Sequence, residues 1–262
     1  MLRTRVGDFY ALIFGWPWLA KLHLAATYLC ARALGLHNYT DTRISGERLV
    51  IRIGVDGRPA PVVFDVGANE GQWLAELLAC CPGARVHAFE PQASLAAQVA
   101  SKFPSASVSN LALADEPGTL DLYDYSSHAG SQHATLLKGV IDGIHQGTAQ
   151  RVQVPVGTID EYCMQHGIER IDLLKIDVEG FELKVLQGAK RMLAEQRVDV
   201  IQFEFNEMNV VSRTFLHDFS SLLQASHRLY RLLPHGLLPL RTEGHWTNEQ
   251  FVYQNVVALR KR

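Results

Sequence analysis

The segment Asp65-Val66-Gly67-Ala68-Asn69-Glu70-Gly71 joins an apolar, strand-like run to a helical one. In open α/β sheets ligands bind beyond the carboxyl ends of the strands, so a glycine-containing turn here is a candidate ligand cradle. Gly67 and Gly71 allow backbone to approach a ligand where a Cβ would obstruct it. The turn also bares the N–H groups of the next helix, which favour a carboxylate or phosphate. The pattern is D-x-G-x-N-x-G, not the G-x-G-x-x-G of dinucleotide sites. Glu90 follows Gly71 by 19 positions and closes a second strand-like run. An acid at that place can accept hydrogen bonds from both hydroxyls of a ribose. Ser109 and Asn110 close a third run and could meet a base through backbone or side chain, although Asn at a strand end is also ordinary turn chemistry. These residues together describe a nucleoside site.

A second constellation follows. Lys175 and Asp177 are two positions apart and share one face of a strand. Glu179 and Gly180 open the turn after it, and Glu182 begins the next helix, where a carboxylate complements the helix dipole. Gln202, Glu204 and Asn206 share a face by the strand period of two. A carboxylate in a buried strand needs a purpose. Glu204 reads as an acid facing a second substrate, as a structural partner of Lys175, or as part of an oxygen set with Asp177 and Asn206 for a hard cation such as Mg²⁺. His128, His133 and His145 lie in a polar loop; imidazole titrates near neutral pH and could serve as a base, while most loop histidines are simply solvated.

The elements that must position these groups alternate between strand and helix. Strands are expected at 62–66, 85–91, 107–115, 151–156, 172–177 and 198–205, with helices at 72–80, 94–102, 159–165, 181–193 and 214–225 between or after them. A hairpin arm is expected at 118–126, a mobile loop or lid at 127–149, and two closing strands at 229–234 and 251–259. Such alternation demands a mostly parallel sheet with helices on both faces, and closing strands joined without a long helix suggest an antiparallel edge. Residues 1–45 read as a helical extension and 46–262 as one domain. The apolar stretches 9–20 and 22–31 of the extension read as one or two helices packed on the main domain. Trp16, Trp18 and leucines beside Lys and Arg also suit peripheral contact with a membrane or partner.

The blocks VVFDVGANEGQW (62–73), HAFEP (87–91), SNLALAD (109–115) and IDLLKIDVEGFELKVLQGA (171–189) resemble the FkbM family of S-adenosylmethionine-dependent methyltransferases. The resemblance runs in order over roughly 46–225 and leaves out 1–45 and 127–149. It implies a class I methyltransferase (Rossmann-like) fold, doubly wound, with seven strands and the last antiparallel. It implies methyl transfer to an oxygen of a sugar, glycan or polyketide-type natural product. The cofactor positions it points to are Asp65, Gly67, Asn69, Glu70, Gly71, Glu90, Pro91, Asn110, Leu111 and Asp177, and Asp177, Glu204 and Lys175 are the catalytic candidates. Methyl transfer needs an acceptor aligned with the S–CH₃ bond, a route for the hydroxyl proton, and exclusion of water. Asp177, at the end of its strand, could orient or deprotonate the acceptor. A nicotinamide-dependent oxidoreductase would share the strand–turn–helix and Glu90, but not the KIDVEG block; a non-catalytic binding module of the same fold is the other alternative.

Bulk composition narrows the partners. Lys+Arg 25 against Asp+Glu 27 gives a net charge of −2, which supplies no electrostatic reason to expect DNA or RNA. Cys30, Cys80, Cys81 and Cys163 form no CxxC pair and suit neither a disulfide framework nor zinc, so a reduced, cytoplasmic setting is expected, with a small-molecule or glycan acceptor as partner.

Overall fold

The computed structural model describes residues 2–38, 42–125, 135–137, 149–240 and 248–261. The expected lid, with His128, His133 and His145, lies almost wholly outside them. The chain opens with α1 (Leu2–Phe14), a 3₁₀ turn at Pro17–Leu19, α2 (Ala20–Ala33), α3 (Thr42–Ser45) and α4 (Glu47–Val55). Alternation then begins: β1 (Val62–Val66), α5 (Gln72–Cys80), β2 (Arg85–Phe89), α6 (Ala93–Lys102), β3 (Ser107–Ser109) and β4 (Ala112–Leu113). After β5 (Gly118–Tyr125) and β6 (Ala149–Gly157) come α7 (Ile159–Gln165), β7 (Ile171–Ile176), α8 (Glu182–Gln187), α9 (Lys190–Ala194) and β8 (Val198–Phe205). The chain continues with α10 (Met208–Ser212), α11 (Leu216–Leu223), β9 (His227–Leu233), β10 (Gly236–Pro239) and β11 (Gln254–Arg260).

The main sheet has the order β10-β9-β11-β8-β7-β1-β2-β3. Strands β3, β2, β1, β7 and β8 run parallel, and β11 is antiparallel to both neighbours, β8 and β9. The expected seven strands are all there, the last antiparallel, and β10 adds an eighth as the short return of a hairpin from β9. From β1 the chain winds outward through β2 to β3, then returns to β7 and β8 on the other side. The strand order therefore reverses at β1, which opens a crevice beyond its carboxyl end. β1 buries apolar side chains on both faces, as a central parallel strand does, with Asp65 its one polar residue. Phe64 and Val66 enter one fully buried cluster, while Val63 enters the other, beside Val50, Ile51 and Val55 of α4.

Three elements differ from the sequence expectation. The third strand is split, because Asn110 ends β3 and the chain then leaves the main sheet; β4 joins β6 and β5 in a separate three-stranded sheet. The helix expected over 181–193 breaks between α8 and α9 at Gly188, where an added Cβ would lie 2.0 Å from the Ala114 carbonyl oxygen. The helices α1 and α2 do not pack as core: no residue of α2 is buried, and Phe9, Leu12, Trp18, Leu22 and Leu29 are exposed. Helical spacing gathers apolar side chains on a stripe, but it does not say what covers the stripe.

At the edge of the sheet opposite the crevice, Asp199 of β8 receives Arg58 at 2.9 Å, Arg260 at 2.7 Å and the guanidinium of Arg170. Burial would raise its pKa, but the three guanidinium groups outweigh burial and hold it below the usual aspartate range. A depressed carboxylate contributes stability that is complete above its unfolded pKa and is lost as pH falls through its folded one. Asp199→Asn should cost about 1–3 kcal/mol at neutral pH, and the difference from the parent should shrink in acid. A pH series of thermal melts checks this; equal melting temperatures at pH 7 would refute it.

Candidate functional site

The crevice is a cleft of about 650 Å³. Its floor is the carboxyl ends of β1, β2, β7 and β8, and its rim includes Ser45 and Glu47 from the N-terminal helices and Tyr253 ahead of β11. Of the candidate residues, Gly67, Asn69, Glu70, Glu90, Pro91, Leu111, Lys175, Asp177 and Glu204 line it. Asp65, Gly71 and Asn110 stand behind the wall. Asn110 donates its side-chain amide to the carbonyls of Glu90, at 3.0 Å, and Pro91, at 2.7 Å, and so clamps β3 to the end of β2.

The protein itself requires both glycines of the β1 turn. Gly67 has φ +82°, and an added Cβ would lie 1.9 Å from the carbonyl oxygen of Asp177; at Gly71, φ +76°, it would meet the Phe103 ring at 2.5 Å. The Gly67 and Ala68 amides both donate to the Phe89 carbonyl at 3.0 Å, and the Asp177 amide donates to Val66. The turns after β1, β2 and β7 are thereby one tied unit. Asn69 takes φ +49°, which Asn tolerates better than most residues, and this aims its amide at Glu90 Oε2, 2.9 Å away. Glu90 Oε1 accepts from Gln92 at 2.9 Å. Burial pushes this carboxyl up, against those two amides. Each oxygen keeps a further lone pair for hydroxyls from the cleft.

Register explains the second constellation. Asp65 and Lys175 are paired across β1 and β7, and Lys175 and Gln202 across β7 and β8, so the three side chains share a row on one face. Lys175 Nζ lies 3.4 Å from Asp65, 3.2 Å from Asp177 and 5.6 Å over the Trp73 ring. Burial alone would lower the lysine pKa; Asp177, Asp65, Glu47 and Glu204 outweigh it and keep the group cationic. Burial raises Asp65 to about 6 despite its ammonium neighbour. Lys175 thus holds its proton and fixes Asp177. It does not pair directly with Glu204, whose Oε1 accepts from Tyr253 at 2.7 Å and Oε2 from Asn206 at 3.4 Å. Burial, then the charges of Asp177 and Glu179, push the Glu204 carboxyl well above the usual glutamate range.

Glu182 does more than complement a helix dipole. Fully buried, it accepts from the amides of Val178 and Gly180, both at 3.1 Å, and so shapes the loop that carries Asp177 and Glu179. Asn206 faces its own backbone, accepting from the Met208 amide at 3.0 Å. Sequence reasoning missed Glu47, Trp73 and Tyr253. Trp73 stood inside a recognised block and lies in the first turn of α5; the other two reach the cleft only through tertiary packing. Of the oxygen set considered for Mg²⁺, Asp177 is engaged by Lys175, Glu204 by Tyr253, and Asn206 by Glu204 and its own backbone. Among the described residues no three His, Cys, Asp or Glu side chains converge on one point, and the Lys175 ammonium already stands between the two aspartates.

The lining residues named so far, with Glu76, Glu179 and Arg48, give the cleft seven acids against two cations, and Arg48 is engaged by Glu76 at 2.8 Å. Even with the raised carboxyls of Glu90 and Glu204 set aside, five acids face two cations, a field that repels a phosphate and attracts a positive charge.

Gly67→Ala should cost at least about 1–3 kcal/mol from backbone strain alone, and more from the contact with Asp177. A chemical denaturation curve would show it; an unchanged midpoint would remove the role given to this turn.

Comparison with known proteins agrees in one direction. A family model described as methyltransferase FkbM domain matches residues 65–232, more than half of the chain. The 31-O-demethyl-FK506 methyltransferase FkbM of Streptomyces tacrolimicus is 31% identical over 175 residues, covering 55% of this chain and 65% of that protein. The 2-O-methyltransferase NoeI of Sinorhizobium fredii (strain NBRC 101917 / NGR234) is 27% identical over 162 residues, 58% of this chain and 66% of that one. The chain thus spans just under two thirds of the length of these relatives. Among solved structures, the plantazolicin methyltransferase BpumL in complex with SAH is similar at a TM-score of 0.46 and 13% identity, covering 84% of each chain, a likeness too distant to bear on the site.

Proposed function

The chain belongs to the FkbM methyltransferase family, and from that premise we propose that it transfers a methyl group from S-adenosylmethionine to a hydroxyl oxygen of a sugar, glycan or polyketide-type small molecule. The observation that carries this reading is the acid-lined cleft. A sulfonium is favoured there, whereas the pyrophosphate of a nicotinamide cofactor is opposed. The residues present fit the donor. Glu90 would take the ribose hydroxyls, Leu111 and Leu113 would supply apolar wall for the base, and Trp73 offers a buried indole N–H with no acceptor among the described residues. When bound, S-adenosylmethionine supplies a methyl group that is already electrophilic.

The protein's own work is then to hold the acceptor and take its proton. Asp177, fixed by Lys175, accepts a hydrogen bond from the acceptor hydroxyl and orients it. Glu204 is the better base, because burial and the neighbouring charges raise its carboxyl well above the usual glutamate range while its position is held by Tyr253 and Asn206. The proton would pass from the hydroxyl oxygen to Glu204 as the oxygen–methyl bond forms and the sulfur–methyl bond breaks, the electron pair staying on sulfur as a neutral thioether leaves. Oxygen as the acceptor atom is supported by the names of the two curated relatives, one a 31-O-demethyl-FK506 methyltransferase and the other a 2-O-methyltransferase.

Calorimetric titration with S-adenosylmethionine and, separately, with NADH tests the donor. Saturable binding of the first alone is expected, and Glu90→Ala should weaken it about tenfold or more, the loss of charged hydrogen bonds. A folded protein that binds neither would refute the enzymatic reading in favour of a binding module. On an identified acceptor, kcat/KM should rise with pH through a value above the ordinary glutamate range as Glu204 loses its proton. Glu204→Gln should abolish that limb, and Asp177→Ala should spare donor binding while lowering kcat. A pH profile unchanged in Glu204→Gln would place the base elsewhere.

A further inference from the structure

We propose that the helical hairpin α1–α2 is a docking surface for an anionic lipid bilayer, on which the protein lies without crossing it. The hairpin is clasped at its centre: His23 sits within 3.0 Å of the Phe14 carbonyl and 3.4 Å of the Tyr10 hydroxyl, with the Tyr10 ring against both Phe14 and His23. It is also anchored at its far end, where Leu36 is buried and the His37 amide donates to the Tyr253 carbonyl at 2.8 Å. Between these points its large apolar side chains face outward. Phe9 is 65% exposed, Leu12 83%, Trp18 75%, Leu22 64% and Leu29 68%. Leu22 and Leu29 are seven residues apart, two helical turns, and so share one face of α2 with Trp18 just ahead of it.

Charge selects the occupant. Residues 1–37 carry Arg3, Arg5, Lys21 and Arg32 against the single acid Asp8, a positive segment on a chain whose total is −2. A second copy packed on the same face would set like charges together, whereas the anionic headgroups of a bilayer neutralise them. Trp16 and Trp18, at the bend between the helices, have the amphipathic shape favoured at the level of headgroups. Among the described residues no helix is long and apolar enough to cross a membrane, so the geometry is that of an element lying in the interface.

The test is sedimentation of the full chain with vesicles of phosphatidylcholine alone and of phosphatidylcholine mixed with phosphatidylglycerol. Binding to the mixed vesicles that weakens as salt rises is expected. The combined Trp18→Gln, Leu22→Gln, Leu29→Gln variant should bind about tenfold or more weakly, from the apolar area lost. Arg5→Glu with Lys21→Glu should abolish the preference for phosphatidylglycerol. None of these side chains enters the core or the cleft, so circular dichroism and S-adenosylmethionine titration should match the parent and separate loss of docking from loss of folding. Absence of vesicle binding would overturn the proposal. So would binding indifferent to these substitutions, or a dimer in light scattering that the apolar variant dissolves, since the hairpin would then be an interface between copies.

Discussion

Lys175 puts an ammonium where it is almost wholly buried, and the elements around it are arranged by what that charge requires. Two carboxylates must stand close, and the strand register delivers one, Asp65, from β1 while Asp177 arrives from the loop after β7. Removing either would leave a buried cation short of compensation, a cost far larger than the net value of the ion pair. The same constraint holds the turns together, because the Gly67 backbone packs on the carbonyl of Asp177 and leaves no room for a side chain. The reactive end of the sheet is thus stiff because of a charge balance beneath it, with Glu182 shaping the loop above.

The parts of this site that were legible from sequence are those made by local chain geometry. A strand running into Asp65-Val66-Gly67, an acid at the end of the next strand, and Lys175 two places before Asp177 are each contained in a few residues. Tyr253 and Glu47 were not legible, because nothing near them in the chain says they will arrive beside Glu204 and Lys175. The protein's own need for the glycines was hidden for a related cause. A positive φ shows in the pattern, but whether the missing Cβ makes room for a ligand or for a neighbouring carbonyl depends on the third strand of contact, 110 residues away in the case of Gly67 and Asp177. The exposed α1–α2 hairpin makes the same point for apolar stripes.

Electrostatics gives the cleft a preference that shape alone would not. Acids drawn from α4, α5 and the ends of β1, β2, β7 and β8 are unequally perturbed: Glu204 and Glu90 are raised by burial, while Glu76 is lowered by its hydrogen bonds to Arg48. A cluster of like charges tolerates close approach by letting some members keep their protons. On the proposed reaction, that leaves Glu204 available to take a proton beside Asp177, whose position is fixed by an ammonium.

The strand β11 comes after β9 in the chain yet lies between β8 and β9 in the sheet, and the residue just ahead of it supplies the hydroxyl that meets Glu204. Until β11 is inserted, β8 and β9 each present a bare row of amides and carbonyls, and nothing in the earlier chain can pair them together. A nascent or truncated polypeptide is therefore sticky at two edges, and its cleft is unfinished. The sheet closes only through a contact between distant parts of the chain, which is slow to form because the loop entropy must be paid first. Completion of the cleft and pairing of these two strand edges are one event in the life of the molecule.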